Sequence, residues 1–316
     1  MIEVEVVQKT SLTADVCRLI LAAKNGGVLP NYSAGAHIDV HLPGGLIRQY
    51  SLCAPLHSSH YEIAVLNEAE SRGGSKAIHG LVNKGDTLTI SEPKNHFPLA
   101  DNAKKSLLFA GGIGITPMLL MAETLAANQE NVELHYCAKT QNKAPFYERI
   151  TQSEWASKAH FHFSQQGAHK RLDVTPLLTN PDPSTHLYVC GPNAFMDDIL
   201  AKAKDLGWPD ECLHREYFSA AEIDHEGDKA FEIMIKSSGE VLEVPIDCTI
   251  LEVLEDNGHF IPVACEEGVC GTCVTGLLEG QADHKDVFLT SSEKSEMNKI
   301  TPCCSRAISQ RLVLDL

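Results

Sequence analysis

The chain has 316 residues, with 42 acidic against 26 basic side chains, a formal net charge of −16 and eleven cysteines. That length holds two or three domains, and the acidic balance argues against nucleic acid as a partner. No run of about 18 apolar residues occurs, so no membrane-spanning helix is expected. The start, Met1-Ile2-Glu3-Val4-Glu5, is acidic and strand-like rather than a signal peptide, so the cysteines read as thiols and ligands of a cytoplasmic protein, not disulfides.

Short alternating runs at 2–7, 16–21, 37–42, 61–66 and 87–90 are separated by Gly, Pro, Asn and Asp clusters. This pattern predicts antiparallel strands closing a small barrel. Arg48 and Tyr50 alternate on one strand and so share a face, with Ser51 beside them. A guanidinium grips a phosphate through two bonds, and a tyrosine ring lies flat against a heterocycle. Ser71-Arg72-Gly73-Gly74-Ser75-Lys76 then reads as a loop entering a helix, whose free N–H groups suit a phosphate. Each feature alone is common; together, in a strand-rich segment, they point to FMN. His37, Asp39 and His41 also alternate, and are expected on a solvated face rather than around a metal. Pro93 and Pro98 mark the close of this segment.

From about residue 102 the period changes. A continuous apolar strand at 106–110 runs into Gly111-Gly112-Ile113-Gly114-Ile115-Thr116-Pro117 and then a helical run at 118–127. Strand, glycine turn and helix form a dinucleotide-binding arrangement, in which the helix start faces a pyrophosphate and Pro117 fits the first turn. The loop departs from G-x-G-x-x-G. Strands at 132–137, 160–164 and 186–190 and helices at 146–150 and 194–206 continue an alternating pattern, which predicts a parallel sheet covered on both faces. Cys190-Gly191-Pro192 ends a strand, where ligands of such sheets bind.

The last segment carries the most specific signal. Cys265-x4-Cys270-x2-Cys273 is followed, after 29 intervening residues, by Cys303 and then Cys304. This is the plant-type spacing for a [2Fe–2S] cluster. Thiolates suit iron–sulfur ions, whereas zinc sites favour two short paired spacings. Gly268 and Gly271 free the backbone N–H groups to approach the sulfides. The fourth ligand is Cys303 or Cys304, and Cys303 gives the expected spacing. Around this loop, strands at 231–235 and 241–244 form a hairpin and a helix covers 249–257. A charged tether at 221–229 precedes them. Residues 226–316 hold 17 acidic and 7 basic side chains, a net −10 suited to steering a basic protein partner.

These motifs, in this order and across essentially the whole chain, resemble those of the phthalate dioxygenase reductase and vanillate demethylase reductase family. The resemblance implies three domains: an FMN-binding barrel (1–101), an NADH-binding α/β domain (102–225) and a β-grasp [2Fe–2S] ferredoxin domain (226–316). It implies that Arg48 and Ser75, beside Gly74, hold the FMN phosphate while Tyr50 and Ser51 contact the flavin ring. It also puts Thr116 and Cys190 near the nicotinamide and makes Phe218 a cover for the flavin. The family's Cys-x-Ser-Arg-Ala run matches the chain from Cys303. The implied activity is electron transfer from NADH through FMN to the cluster and on to a Rieske-type oxygenase component, by a monomer that uses no side-chain nucleophile. The competing expectation is a stand-alone NADH oxidoreductase acting on small acceptors.

Overall fold

The computed structural model describes residues 1–165, 171–219 and 227–316. Their contacts divide the chain into two compact units, Met1–Glu216 and Tyr217–Leu316. The stretch at 221–226, most of the expected tether, lies outside the described residues.

The first unit opens with β1 (Ile2–Ser11), β2 (Val16–Ala23), β3 (His37–His41), β4 (Ile47–Ser51) and β5 (Tyr61–Leu66), then α1 (Gly74–Gly80) and β6 (Thr87–Ile90). The strands form one antiparallel sheet in the order β4-β3-β6-β1-β2-β5, and its two edges, β4 and β5, approach each other to close the barrel. Alternation works as expected: Val4, Val6, Leu19, Leu21, Ile38, Val40 and Ile63 point into one core. His37 and Asp39 depart from the expected solvated face, since each is only 6% exposed. The strand is internal to the sheet, and Lys94 folds over it to pair with Asp39 at 2.6 Å while Gln49 donates to the same carboxylate at 3.0 Å. A buried carboxylate persists because both partners satisfy it.

A second sheet follows within the same unit: β7 (Lys105–Gly111), α2 (Ile115–Ala127), β8 (Val132–Ala138), α3 (Tyr147–Thr151), β9 (Ala159–Phe163), α4 (Thr175–Leu178), β10 (Thr185–Cys190), α5 (Asn193–Asp205) and β11 (Leu213–Glu216). All pairings are parallel, in the order β11-β10-β7-β8-β9. The first strand is central, and the order reverses between β7 and β10. Pro117 occupies the third position of α2, where its missing N–H has no partner in any helix. β11 carries no sequence signal of its own, because Leu213-His214-Arg215-Glu216 neither alternates cleanly nor runs apolar.

Barrel and parallel sheet share one apolar core, in which Val16, Cys53 and Ala64 pack with Leu119, Met121 and Leu125. Arg149 clamps the same seam, donating to Glu123 at 2.8 and 2.7 Å and to Glu62 at 3.2 Å.

The second unit holds β12 (Phe231–Ile235), β13 (Val241–Val244), α6 (Ile250–Asp256), β14 (Thr275–Glu279), β15 (Ala282–Asp283), α7 (Ser291–Glu296), β16 (Lys299–Ile300), β17 (Arg306–Ala307) and β18 (Arg311–Leu314). Its mixed sheet runs β13-β12-β18-β14-β16, with β12 and β18 parallel. Thr249 caps α6 through a reciprocal pair with Glu252, which satisfies two otherwise orphaned donors. Arg306 is 5% exposed; it donates to the Cys248, Lys229 and Pro245 carbonyls and pairs with Asp228 at 3.5 Å, and Lys285 pairs with the same carboxylate.

This ion cluster sits directly after Cys303 and Cys304, so it ties the chain leaving the thiols to the chain entering the unit. Asp228→Asn strips buried Arg306 of its counter-charge and leaves Lys285 only Asp283, at 3.9 Å. Breaking such a pair costs about 3–5 kcal/mol, so the variant's second unit is expected to unfold at clearly lower denaturant, followed by near-UV circular dichroism.

Candidate functional site

Three groups of side chains are candidates for cofactor binding. In the barrel, Arg48 on β4 donates to the Ile47 carbonyl at 2.7 Å and to the Arg72 carbonyl at 3.1 Å. A Cβ at Gly74 would lie 2.5 Å from Arg48 Cγ, so the arginine stem crosses the start of α1 only because that residue is glycine. Ser75 Oγ donates to Ser71 Oγ at 2.9 Å and accepts from the Glu68 N–H at 3.2 Å. A guanidinium, two hydroxyls and a glycine turn therefore converge, and such a set binds a phosphate. Tyr50 packs against the barrel core, and burial pushes its hydroxyl well above the usual range.

The second group lies at the carboxyl ends of β7 and β10, where the strand order reverses and a parallel sheet opens a crevice. Cβ atoms at Gly111 and Gly114 would strike Pro192 Cδ at 2.9 Å and the Cys190 carbonyl oxygen at 2.3 Å. One at Gly191 would reach Gly111 Cα at 2.8 Å. The loop at 111–117 and the loop at 190–192 thus touch backbone to backbone. Gly112 is different: it has φ 55° and open space around it, so it serves the turn rather than the contact. Thr116 is buried and donates to the Ile113 carbonyl at 3.0 Å. Cys190 is fully buried, and desolvation raises its thiol well above the ordinary value, so it is a neutral wall and not a nucleophile.

Ser51 and Glu216 join the first two groups. Ser51 Oγ donates to Glu216 Oε2 at 3.5 Å, and Glu216 pairs in register with Cys190. Desolvation of its carboxyl raises Glu216 to about 8. Glu216 has no role assigned from the sequence; its place beside Ser51 and Cys190 depends on β11, which the sequence pattern does not disclose. Phe218, two residues further on, is 40% exposed.

The third group is the thiols. Cys265, Cys270, Cys273 and Cys303 are all buried. Cys273 and Cys303 share a hydrogen bond at 3.3 Å, and Cys265 is hydrogen-bonded to Cys270. The Cys265 thiol holds Cys270 down to about 5, and the Cys303 thiol likewise lowers Cys273. Backbone N–H groups of Glu267 and Thr272 point at the sulfurs of Cys265 and Cys270, each at 3.4 Å. Cys304 is hydrogen-bonded to Cys303 and also lies 3.4 Å from Thr301 Oγ1 and 3.9 Å from Ser305 Oγ. Gly268 and Gly271 both have φ 71°. A Cβ at Gly268 would strike Cys304 Sγ at 2.5 Å, and one at Gly271 would strike the Phe288 ring at 2.2 Å. The glycines therefore serve close packing as well as exposure of N–H groups. Among the described residues no three His, Cys, Asp or Glu side chains converge as one ion requires. Four thiols in two pairs fit a two-iron centre, two to each iron.

The 2Fe-2S iron-sulfur cluster binding domain family matches residues 233–307, and the dimethylamine monooxygenase subunit DmmA-like N-terminal domain family matches residues 91–213. The vanillate O-demethylase oxidoreductase of Pseudomonas sp. (strain HR199 / DSM 7063) is 50% identical, with 100% of both chains covered. The chain belongs to the vanillate O-demethylase oxidoreductase and phthalate dioxygenase reductase family. The solved phthalate dioxygenase reductase, described as modular for electron transfer from pyridine nucleotides to [2Fe-2S], is 36% identical with a TM-score of 0.75, covering 99% of this chain and 97% of that one. An intact type IV self-sufficient cytochrome P450 monooxygenase is also 36% identical, with a TM-score of 0.89; this chain is wholly covered but spans only 41% of that protein. The fold is that of this family: a barrel, a parallel-sheet domain and a C-terminal ferredoxin domain.

The raised Glu216 sets a pH dependence. Between its ordinary value of 4.5 and about 8 the unfolded chain ionises this group while the folded chain keeps it protonated. The folded state then binds more protons, so this group's contribution to stability falls as pH rises through that window. Glu216→Gln is expected to unfold at higher temperature than the parent at pH 8, with the gap closing toward pH 4.5, in paired thermal melts.

Proposed function

We propose that the chain is the NADH-dependent reductase component of a two-component oxygenase system, delivering electrons to a Rieske-type non-haem iron oxygenase. The observation that carries this reading is the order of the three sites, phosphate cradle, sheet-end crevice and paired thiols, on a chain that matches a vanillate O-demethylase oxidoreductase from end to end. Bound FMN and the [2Fe–2S] cluster would supply the conversion of a paired-electron donor, NADH, into a source of single electrons.

The chain's own residues bind and orient. Arg48, Gly74 and Ser75 hold the FMN phosphate. Tyr50 lies along the flavin ring, with Phe218 as its cover. Ser51 donates a hydrogen bond at the ring's reactive edge, and Glu216 keeps a proton within reach of Ser51 at neutral pH. Gly111, Gly112 and Gly114 admit the dinucleotide pyrophosphate to the start of α2, which Pro117 leaves undisturbed, while Thr116, Cys190, Gly191 and Pro192 wall the nicotinamide and exclude water. Cys265, Cys270, Cys273 and Cys303 ligate the cluster; the 3.3 Å contact of Cys303 with Cys273, together with its spacing from the loop, supports Cys303 as the fourth ligand. The proposed domains are 1–101, 102–225 and 226–316, in a monomer acting in the cytoplasm. NADH is favoured over NADPH because Lys143, after β8, is already paired with Asp15 at 2.6 Å. The segment also offers no paired arginines for a 2′-phosphate. The oxygenase's substrate is an aromatic acid such as vanillate or phthalate, or a quaternary amine such as carnitine.

The test is anaerobic. Adding NADH to the purified protein is expected to bleach both flavin and cluster absorption; a preparation with neither chromophore would sink the reading. Cys270→Ser should leave NADH-driven flavin bleaching intact while abolishing delivery to an oxygenase component, whereas undiminished delivery would favour a stand-alone oxidoreductase that needs no cluster. Arg48→Ala removes a charged phosphate contact worth about 1.5–3 kcal/mol, so its FMN affinity should drop about 10- to 100-fold in equilibrium dialysis with NADH-site binding retained.

A further inference from the structure

Phe260 is 81% exposed, twice the 40% of Phe218, the other large exposed aromatic among the described residues. A single exposed apolar side chain is ordinary; its place is what matters here. After α6 the chain reverses through Gly258, with φ 81°, and the His259 N–H returns to the Leu254 carbonyl at 2.8 Å. The next residues alternate. Ile261 and Val263 pack inward on Leu251, Cys273, Cys303 and Cys304, while Phe260 and Pro262 face outward. Phe260 therefore stands on the segment that covers the Cys273–Cys303 half of the thiol group, five residues before Cys265.

The charge around it is one-sided. Residues 237–284, which include α6 and the whole cysteine loop, contain ten acidic side chains and no lysine or arginine. Of the cations after that span, Lys285 and Arg306 pair with Asp228, Lys294 with Asp286, Lys299 with Glu293 and Arg311 with Glu232; Lys229 and Lys236, before it, are exposed. Glu255 and Asp256 are exposed in the last turn of α6, where no basic residue offsets them. That is the negative end of the helix dipole, so these charges cost the fold stability. An exposed aromatic that follows two acids unfavourable to their own helix, next to His259 with its Glu240 partner, has the makings of a docking surface: an apolar anchor beside charged groups.

We propose that Phe260 anchors the oxygenase component over the cluster loop, entering an apolar hollow framed by lysines and arginines on that partner. This rests on the reductase reading above and says where the electron leaves the chain. The acids steer the encounter and make it salt-dependent; Phe260 sets how long the complex lasts.

The experiment uses the holoprotein, Phe260→Ala, Phe260→Leu and the double variant Glu255→Lys with Asp256→Lys, and the oxygenase component of a vanillate O-demethylase as acceptor. NADH-driven reduction of that acceptor is followed against its concentration, and stopped-flow absorption separately follows NADH-driven reduction of the chain's own flavin and cluster. Phe260→Ala is expected to raise the acceptor KM about tenfold, as loss of an interface anchor does, with internal reduction unchanged. Phe260→Leu should lie between, and the double variant should bind more weakly with a flatter dependence on salt. An unchanged KM in Phe260→Ala overturns the proposal. So does slowed reduction of the chain's own cluster, which would mean that Phe260 serves internal electron transfer rather than docking. A parent protein that bleaches with NADH yet reduces no oxygenase component counts against the reductase reading itself.

Discussion

The structure depends on one seam, the packing of the barrel against the parallel sheet. Its apolar part is a single continuous core, and its polar part is Arg149 forked between Glu62 and Glu123. Desolvation raises Glu62, and the guanidinium beside it opposes that shift. A buried charge of this kind is tolerable only while its partner stays, since removing one member costs about 3–5 kcal/mol. The seam is therefore both stiff and specific. Through it, Ser51 of the barrel meets Glu216 of the sheet, 165 residues away along the chain. Neither half alone presents a hydroxyl, a protonated carboxyl and a neutral thiol at one place.

Two different kinds of close contact then build the cofactor sites. In the crevice it is backbone on backbone: Gly111, Gly114 and Gly191 have no room for a Cβ, so the two loops meet at van der Waals distance. That leaves N–H groups, rather than side chains, as the surface a pyrophosphate sees. In the second unit it is sulfur on sulfur. Cys273 and Cys303 come within 3.3 Å, and Phe288 and Cys304 fill the space beside Gly271 and Gly268. Tight filling around the loop holds the thiols close together, an arrangement that suits a small cluster exchanging an electron with little rearrangement.

The chemistry asked of the protein is correspondingly modest. Cys190 is too deeply buried to ionise, and no nucleophile or acid–base triad is required when bound cofactors carry hydride and electron. What remains to the side chains is placement, exclusion of water, one proton held at Glu216 and a surface for handing the electron on. The first three are internal and depend on packing. The last is external and depends on charge.

The sequence by itself determined the parts whose physics is local. Alternating strands, the glycine turn into α2, the amphipathic helix expected over 249–257 and the C-x4-C-x2-C loop all follow from spacing within a few residues, and the helix forms at Ile250–Asp256. Tertiary structure alone decided what depends on distant neighbours. β11 forms only because β10 offers it a parallel edge, and so Glu216 gained its role without a local signal. His37 and Asp39 alternate as a wetted face would, yet Lys94, more than fifty residues on, closes over them. Cys303 and Cys304 are neighbours in sequence and hydrogen-bonded to each other, and only the fold brings Cys303 to Cys273 and Cys304 to Thr301 and Ser305, because those partners come from other parts of the chain or from the turn itself.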